Sequence, residues 1–410
     1  MSVLSDDAVS RHGPSSGFSR LVGADVLKVA LNLHSLRAPR AGIGRYVEQL
    51  ALGLQRHASI DELVGFIDGR VLGGERLEAA LLGTAGEVAP SSLRGWLRAM
   101  PGSYAARDLL RARRDRMALA PYARRGAVYH EPNFVALPYA GPTVVTVHDF
   151  SHRRHPHAHP RARVAWLEAT LPRSLARAGR IIAVSRFTAD ELCECHEVSP
   201  EKVRVIHHGI DADFRPRQAD EVAATLRALD LRFRGFVLAV GTLEPRKNLA
   251  RLLQAYTALP RSVRQSCPLL LVGAQGWRQR GLAQRLRDTE GVRCIGYLPR
   301  QQLHDLYAAA AVLAYPSLYE GFGLPLLEGF ASATPVLCSS GSALSEVAGG
   351  AALEVDALSV DAIEAGLRTL LDDAEMRAEY AARGVQRARA FTWRSCVEQT
   401  VQVYREVAGE

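Results

Sequence analysis

Hydrophobic positions fall along the chain as short apolar runs bounded by Gly, Pro, Asp or Ser, alternating with longer stretches of helical periodicity. In the first half, strands are predicted at Leu27–Asn32, Leu63–Ile67, Ala127–Tyr129, Thr143–Val147, Arg180–Val184 and Val203–Ile206. Helices are predicted between them near Ile43–Gln55, Ala105–Ala118, Arg161–Ala178 and Arg186–Cys195. A looser, charged segment follows, Asp211 to Arg234, and then the pattern restarts. Strands at Phe236–Val240, Leu269–Val272, Val292–Ile295, Val312–Tyr315 and Val336–Cys338 alternate with helices at Leu249–Ala258, Leu282–Thr289, Arg300–Ala310 and Pro325–Ser332. Helical stretches at Ser359–Leu371, Ala374–Ala390 and Trp393–Val407 close the chain. Two βα runs joined by one linker predict an α/β protein of two Rossmann-like domains facing across a cleft. The expected division is a disordered arm at 1–24, a first Rossmann-like domain at 25–212, a second at 213–391, and a C-terminal helix at 392–410 packing back on the first domain. In open α/β sheets the ligand lies at the carboxyl ends of the strands, so the cleft is the place to look for chemistry.

Composition narrows this picture. A chain of 410 residues is too long for one ordinary domain, and 48% apolar with 23% charged residues excludes wholesale disorder. The best apolar run, Leu306 to Tyr315, is about half the roughly 20 residues of a bilayer span, and Met1 to Arg20 lacks a signal peptide's apolar core. A cytoplasmic protein is expected. Six scattered cysteines do not form a disulfide framework in such a chain, and Cys193, Cys195 and His196 are too tightly spaced for a zinc knuckle. The net charge of +8 raises nucleic acid, anionic membrane or anionic substrate as partners. No aromatic stacking platform or known motif accompanies it, so no nucleic acid is expected. Between Arg94 and Arg125, nine arginines interleave with Trp96, Leu97, Met100, Tyr104, Leu109, Leu110, Met117 and Tyr122. That pattern fits a face resting on anionic lipid and equally an arginine-rich solvated helix.

The most informative stretch runs Tyr315-Pro-Ser-Leu-Tyr-Glu-Gly-Phe-Gly-Leu-Pro-Leu-Leu-Glu328. A strand ends at Tyr315, a loop follows, and a helix opens with Pro325 at its first position, where a missing N–H costs nothing. Free amides at Gly323, Leu324 and their neighbours make a seat for phosphate. Glu320 and Glu328 flank that seat; carboxylates so placed repel phosphate, which suits them to sugar and ribose hydroxyls instead. A second stretch, Gly241-Thr-Leu-Glu-Pro-Arg-Lys-Asn248, leaves the second run's first strand and aims Arg246 and Lys247 at the same cleft. Two cations and a helix dipole can stabilise a departing diphosphate without a metal. Lys247 is one of three lysines in an arginine-biased chain, beside Lys28 and Lys202.

Together these stretches resemble the retaining glycosyltransferases of family 4, which have the GT-B architecture. Glu320 and Glu328 match the family's Glu-x7-Glu signature and Arg246-Lys247 its diphosphate-binding pair. The resemblance continues through Gly42-Ile-Gly-Arg-Tyr46, Val145-Thr-Val-His-Asp149, Ile182-Ala-Val-Ser-Arg186, Thr334-Pro-Val336 and Ser345-Glu-Val-Ala-Gly349, nearly the whole chain after Val26. It implies that Glu320 binds the donor sugar, Glu328 the ribose, and the Gly42–Gly44 loop the diphosphate or acceptor. It implies that His148 contacts the transferred sugar near the reacting carbon, that Asp149 orients its loop, and that Gly241, Thr242, Gly321, Phe322, Gly323 and Leu324 line the donor. The chain departs from the family at Thr242, where an arginine is frequent, at His207-His208-Gly209 in place of Pro-Asn-Gly, and at Gly329-Phe330 in place of Ala-Met.

The function implied is retaining, metal-independent hexosyl transfer, closest to bacterial mannosyl- and rhamnosyltransferases of surface-polysaccharide and O-antigen synthesis. No resident cofactor is implied; the co-substrate is a GDP-linked mannose-type sugar or, as the near alternative, a UDP-hexose. The acceptor is a glycan or polyprenyl-linked glycan. A sugar-nucleotide epimerase and a non-catalytic nucleic-acid binder are the readings from other classes. Asp211-Ala-Asp213 looks like a metal-binding Asp-x-Asp but sits in the linker, and His148, His152, His155, His157 and His159 crowd one loop without the spacing of a designed metal site.

Overall fold

The computed structural model describes residues 26–37, 42–82, 103–273 and 280–409. The arm expected at 1–24 and residues 94–102 of the arginine-rich stretch lie outside them. Among the described residues the strands form two sheets. The first is ordered β3-β2-β1-β4-β5-β6-β7, from β1 (Leu27–Asn32), β2 (Ile60–Ile67), β3 (Arg70–Gly73), β4 (Val128–Glu131), β5 (Thr143–Val147), β6 (Arg180–Ala183) and β7 (Val203–Val205). The second is ordered β10-β9-β8-β11-β12-β13, from β8 (Val237–Val240), β9 (Leu269–Val272), β10 (Val292–Gly296), β11 (Val312–Tyr315), β12 (Val336–Ser339) and β13 (Leu353–Val355). The central strands β5, β9, β11 and β12 are buried at every residue, as parallel strands covered by helices on both faces must be.

Every ladder is parallel except β2 with β3, which run antiparallel at the sheet's edge. Sequence patterning missed β3 because it is a short edge strand held by its ladder rather than by an apolar face. It also missed β13 and the helices Gly74–Leu82 and Ala343–Ala348. The segment read as loose, Asp211 to Arg234, holds a helix at Ala223–Ala228. The helix predicted at Ala105–Ala118 extends over Ser103–Arg124, where Leu110 and Met117 are exposed beside exposed Arg113, Arg114 and Arg116. Among the described residues no helix is long and apolar enough to cross a membrane.

The chain passes between the sheets twice. After β7 it enters the second sheet's domain, and after Phe391 it returns. Its last helix, Trp393–Ala408, is capped by the Thr392 side chain, which accepts from the Ser395 amide. Cys396, Val397, Val401 and Tyr404 of this helix join Tyr46, Val47, Leu50 and Leu54 of helix Ile43–Gln55 and Val29 of β1 in one core. The two crossings lie side by side: Ile210 donates its amide to the Phe391 carbonyl at 3.1 Å and bridges to Thr392.

Candidate functional site

The donor-side machinery hangs on the carboxyl ends of β8 and β11. Beyond Gly241 the chain turns through Thr242 and a 3-10 turn, Pro245–Lys247, into helix Leu249–Ala258. Beyond Tyr315 it forms the loop carrying Glu320. The two loops are stitched together: Leu318 donates its amide to the Arg246 carbonyl at 2.8 Å, and Asn248 Nδ2 donates to the Pro316 carbonyl at 3.0 Å. The loop closes at Gly323, whose φ of 104° belongs to the left-handed region and whose would-be Cβ lies 2.4 Å from Leu344 Cδ2. Helix Leu324–Ala331 therefore starts one residue before the predicted Pro325, which takes its second position.

Glu320, only 6% exposed, sits at the centre of this assembly. Its Oε1 accepts from Lys247 Nζ at 2.6 Å and from the Tyr315 hydroxyl at 2.8 Å; its Oε2 accepts from Arg246 Nη1 at 2.7 Å. Burial opposes its ionisation, but Arg246 and then Lys247 outweigh burial and hold its pKa down at about 2. Burial also opposes the charge on Arg246, which Glu320, Asp149 and Glu244 more than restore. Arg246 further donates to the Tyr319 carbonyl at 3.1 Å and to Glu244 at 2.7 Å, and its Nε has no partner among the described residues. The carboxylate assigned to a sugar thus serves, in the ligand-free protein, as counter-ion to both cations assigned to the diphosphate.

Across the cleft, β5 delivers His148 and Asp149. His148 is buried and donates from Nε2 to the Pro132 carbonyl at 2.7 Å, which fixes its tautomer. Burial lowers its pKa to about 4, so the ring is neutral near neutrality. Asp149 Oδ1 accepts the Ser151 amide at 2.9 Å. Burial works against its charge, yet Arg246 leads the interactions that keep its pKa low. Gly42 caps helix Ile43–Gln55 with a φ of 53°, Gly44 is buried in the first turn, and the Tyr46 ring meets His148 edge-on at 5.2 Å.

The facing loops are in contact. A Cβ on Gly321 would lie 1.8 Å from the His148 carbonyl oxygen, so only glycine permits this approach. The Gly321 carbonyl accepts from Ser185 Oγ at 2.7 Å and Thr188 Oγ1 at 3.2 Å, and Phe322 packs against His208 with ring centroids 4.8 Å apart. Glu346 accepts from the amides of Arg186 and Phe187 at 2.8 and 3.0 Å, a carboxylate from the second domain on a helix N-terminus of the first. Sequence reasoning singled out none of Tyr315, Tyr319, Glu191 or Glu346 as site partners; only their place inside or beside a motif hinted at them.

Glu328 stands apart from Glu320, one turn into helix Leu324–Ala331. Burial raises its pKa to about 7; Tyr307, Arg300 and Arg45 pull the other way, and Asp211 adds to the rise. Asp211, from the Asp-x-Asp look-alike of the linker, is engaged by Arg45 Nε at 2.7 Å, Arg300 at 2.5 Å and Trp393 Nε1 at 2.9 Å. A raised pKa means that, as pH falls through about 7, Glu328 takes up a proton and is no longer a pure acceptor for the ribose hydroxyls that the resemblance assigns to it. Donor KM is therefore expected to climb as pH drops from about 8 to about 6 in the wild type and to flatten in Glu328→Gln. A wild-type KM that is flat across that range removes Glu328 from donor binding.

Glu320, ion-paired with Arg246 and Lys247 beyond β8 and β11, and His148 beyond β5 thus form one candidate site between two α/β domains. The chain matches the model of "Glycosyltransferase Family 4" over residues 40–214 and that of "Glycosyl transferases group 1" over residues 233–387. It is 36% identical over 387 residues to the O-antigen chain mannosyltransferase B of Escherichia coli, covering 92% of this chain and 100% of that protein. It is 32% identical to the MMP alpha-(1->4)-mannosyltransferase of Mycolicibacterium hassiacum over 236 residues, covering 55% of this chain and 54% of that protein. Among solved structures, sucrose-phosphate synthase from Thermosynechococcus elongatus superposes with a TM-score of 0.70 at 22% identity, covering 93% of this chain and 99% of the other. The chain belongs to the family 4 glycosyltransferases and has their GT-B fold.

Proposed function

We propose that the enzyme transfers a mannose-type hexose from a GDP-linked donor to a glycan or polyprenyl-linked glycan of a cell-surface polysaccharide, with retention at the anomeric carbon and without a metal. The observation that carries this reading is the Glu320–Arg246–Lys247 cluster facing His148, in a chain that aligns over 92% of its length with an O-antigen mannosyltransferase. In the proposed reaction the bond from the anomeric carbon to the β-phosphate oxygen breaks through an oxocarbenium-like state. The acceptor oxygen bonds to the same face, and its proton passes to the departing phosphate. Arg246, Lys247 and the amides at Gly323 and Leu324 stabilise the leaving charge, which supports metal-free transfer. Glu320 binds the sugar, Glu328 the ribose, and His148 the sugar near the reacting carbon. Exposed Leu110 and Met117 among arginines support contact with an anionic bilayer, where a lipid-linked acceptor would lie.

The test is a thermal-shift panel of GDP, UDP, ADP and their sugar conjugates, with and without EDTA, alongside sedimentation with anionic and neutral vesicles. A ligand at 100 times its dissociation constant adds about 2.7 kcal/mol. Stabilisation by GDP or GDP-mannose that survives EDTA supports the donor. A response to UDP alone moves the donor to a UDP-hexose, and silence from every nucleotide sinks the proposal. Failure to sediment with anionic vesicles removes the bilayer contact.

A further inference from the structure

Tyr319 lies immediately before Glu320, yet its side chain points away from the donor loop and into the first domain. Its ring is 4% exposed and is boxed by His155 and Phe187, with centroids 5.6 and 5.8 Å away. Its hydroxyl accepts the Phe150 amide at 2.8 Å and donates to Glu191 Oε2. Glu191, itself 4% exposed, takes a second bond on Oε1 from Arg154 Nε at 2.6 Å. One hydroxyl therefore joins two loops from different domains. Phe150 is two residues beyond His148, and Tyr319 both precedes Glu320 and gives its carbonyl to Arg246.

We propose that Glu191 and Tyr319 are positioning residues that lock the His148 loop against the Glu320 loop when the domains are together. Neither is placed to touch the substrate; both act through Phe150 and the 319–320 backbone. A buried carboxylate is a strong, directional acceptor, and Arg154 balances its charge, so the tyrosine hydroxyl has one well-defined partner. Separation of the domains leaves both Glu191 and Tyr319 to water and frees the loop bearing Glu320. The lock makes a donor site in the second domain sensitive to where the first domain stands. This rests on the roles proposed above for His148 and Glu320.

The test compares Glu191→Ala, Glu191→Gln, Tyr319→Phe and the Glu191→Ala/Tyr319→Phe double variant with the wild type. Two readouts are used: turnover of GDP-mannose with GDP affinity, and amide hydrogen exchange at Phe150 in the ligand-free protein. Loss of a charge-assisted hydrogen bond predicts about a tenfold fall in kcat for Glu191→Ala and for Tyr319→Phe, with the dissociation constant for GDP changed less than about twofold. Glu191→Gln, which keeps an accepting oxygen, recovers most of that loss, and the double variant is no worse than either single one. Phe150 exchange is expected to rise at least about tenfold in Tyr319→Phe, which removes its acceptor. Wild-type kcat in both single variants, additive losses in the double variant, or unchanged exchange at Phe150 overturns the lock. Should the wild type bind no guanine nucleotide, the donor assignment fails, and exchange at Phe150 still decides the lock because it needs no ligand.

Discussion

Glu320→Ala is expected to reduce sugar transfer at least about a hundredfold, equivalent to about 2.7 kcal/mol of lost transition-state stabilisation. The same loss is expected for Lys247→Ala. Removing the carboxylate also takes Glu320 from two half-buried cations, leaving Arg246 with Glu244, which carries a stability cost of its own. Glu320→Gln keeps the shape and one accepting oxygen, while it loses the charge and turns the other oxygen into a donating NH2. Glu320 holds both Arg246 and Lys247, so a diphosphate that draws on these cations competes with it. Glu320→Gln should therefore fail in transfer while binding free GDP more tightly, by about tenfold, as read by calorimetric titration. Near-normal transfer by Glu320→Ala or Lys247→Ala, or weaker GDP binding by Glu320→Gln, would remove the proposed exchange of carboxylate for phosphate.

Gly321→Ala is expected to be comparably damaging for a different reason. The added methyl would sit 1.8 Å from the His148 carbonyl oxygen and 2.8 Å from Asp149 Cβ. The first obstruction is backbone on the opposing domain, so no rotamer change relieves it, and the two loops must move apart. Displacing reacting groups by about 1 Å typically costs about a hundredfold in rate. Transfer should fall by that order while GDP, held from the second domain, binds within a few-fold of normal. Small-angle scattering should then report a more open ligand-free molecule. Wild-type transfer by Gly321→Ala would show that the contact between these loops is dispensable.

How much of this was legible in the sequence follows from the range of the interactions. Apolar runs and their punctuation located most of the strands of both sheets, because burial on both faces writes itself into consecutive residues. Glu320, Glu328, Arg246 and Lys247 were legible because strand, loop and helix start are close in sequence and carry charges at fixed spacing. What escaped was set by distant partners. Tyr319 reads as one more loop aromatic until Glu191, 128 positions away, is brought to its hydroxyl. Asp211 could be set aside as a metal ligand from its place in the linker, but its partners Arg45 and Arg300, from separate domains, could not be read there. Gly321 was legible as part of a motif, but the reason for it, the His148 carbonyl, belongs to a different sheet.

The return of the last helix to the first sheet has a consequence for how this enzyme can be recombined. The half built on the first sheet is not one stretch of sequence: its core is finished by Cys396, Val397, Val401 and Tyr404, synthesised after the whole half built on the second sheet. A single junction in the linker would separate Val29 and Leu50 from the helix that covers them. Exchange of donor specificity between relatives therefore calls for an internal cassette with two junctions, one near Ile210 and one near Thr392, where the strands of the crossing already lie paired. The second sheet's half behaves as an insertion into the first, and the ribosome completes the host only after the guest.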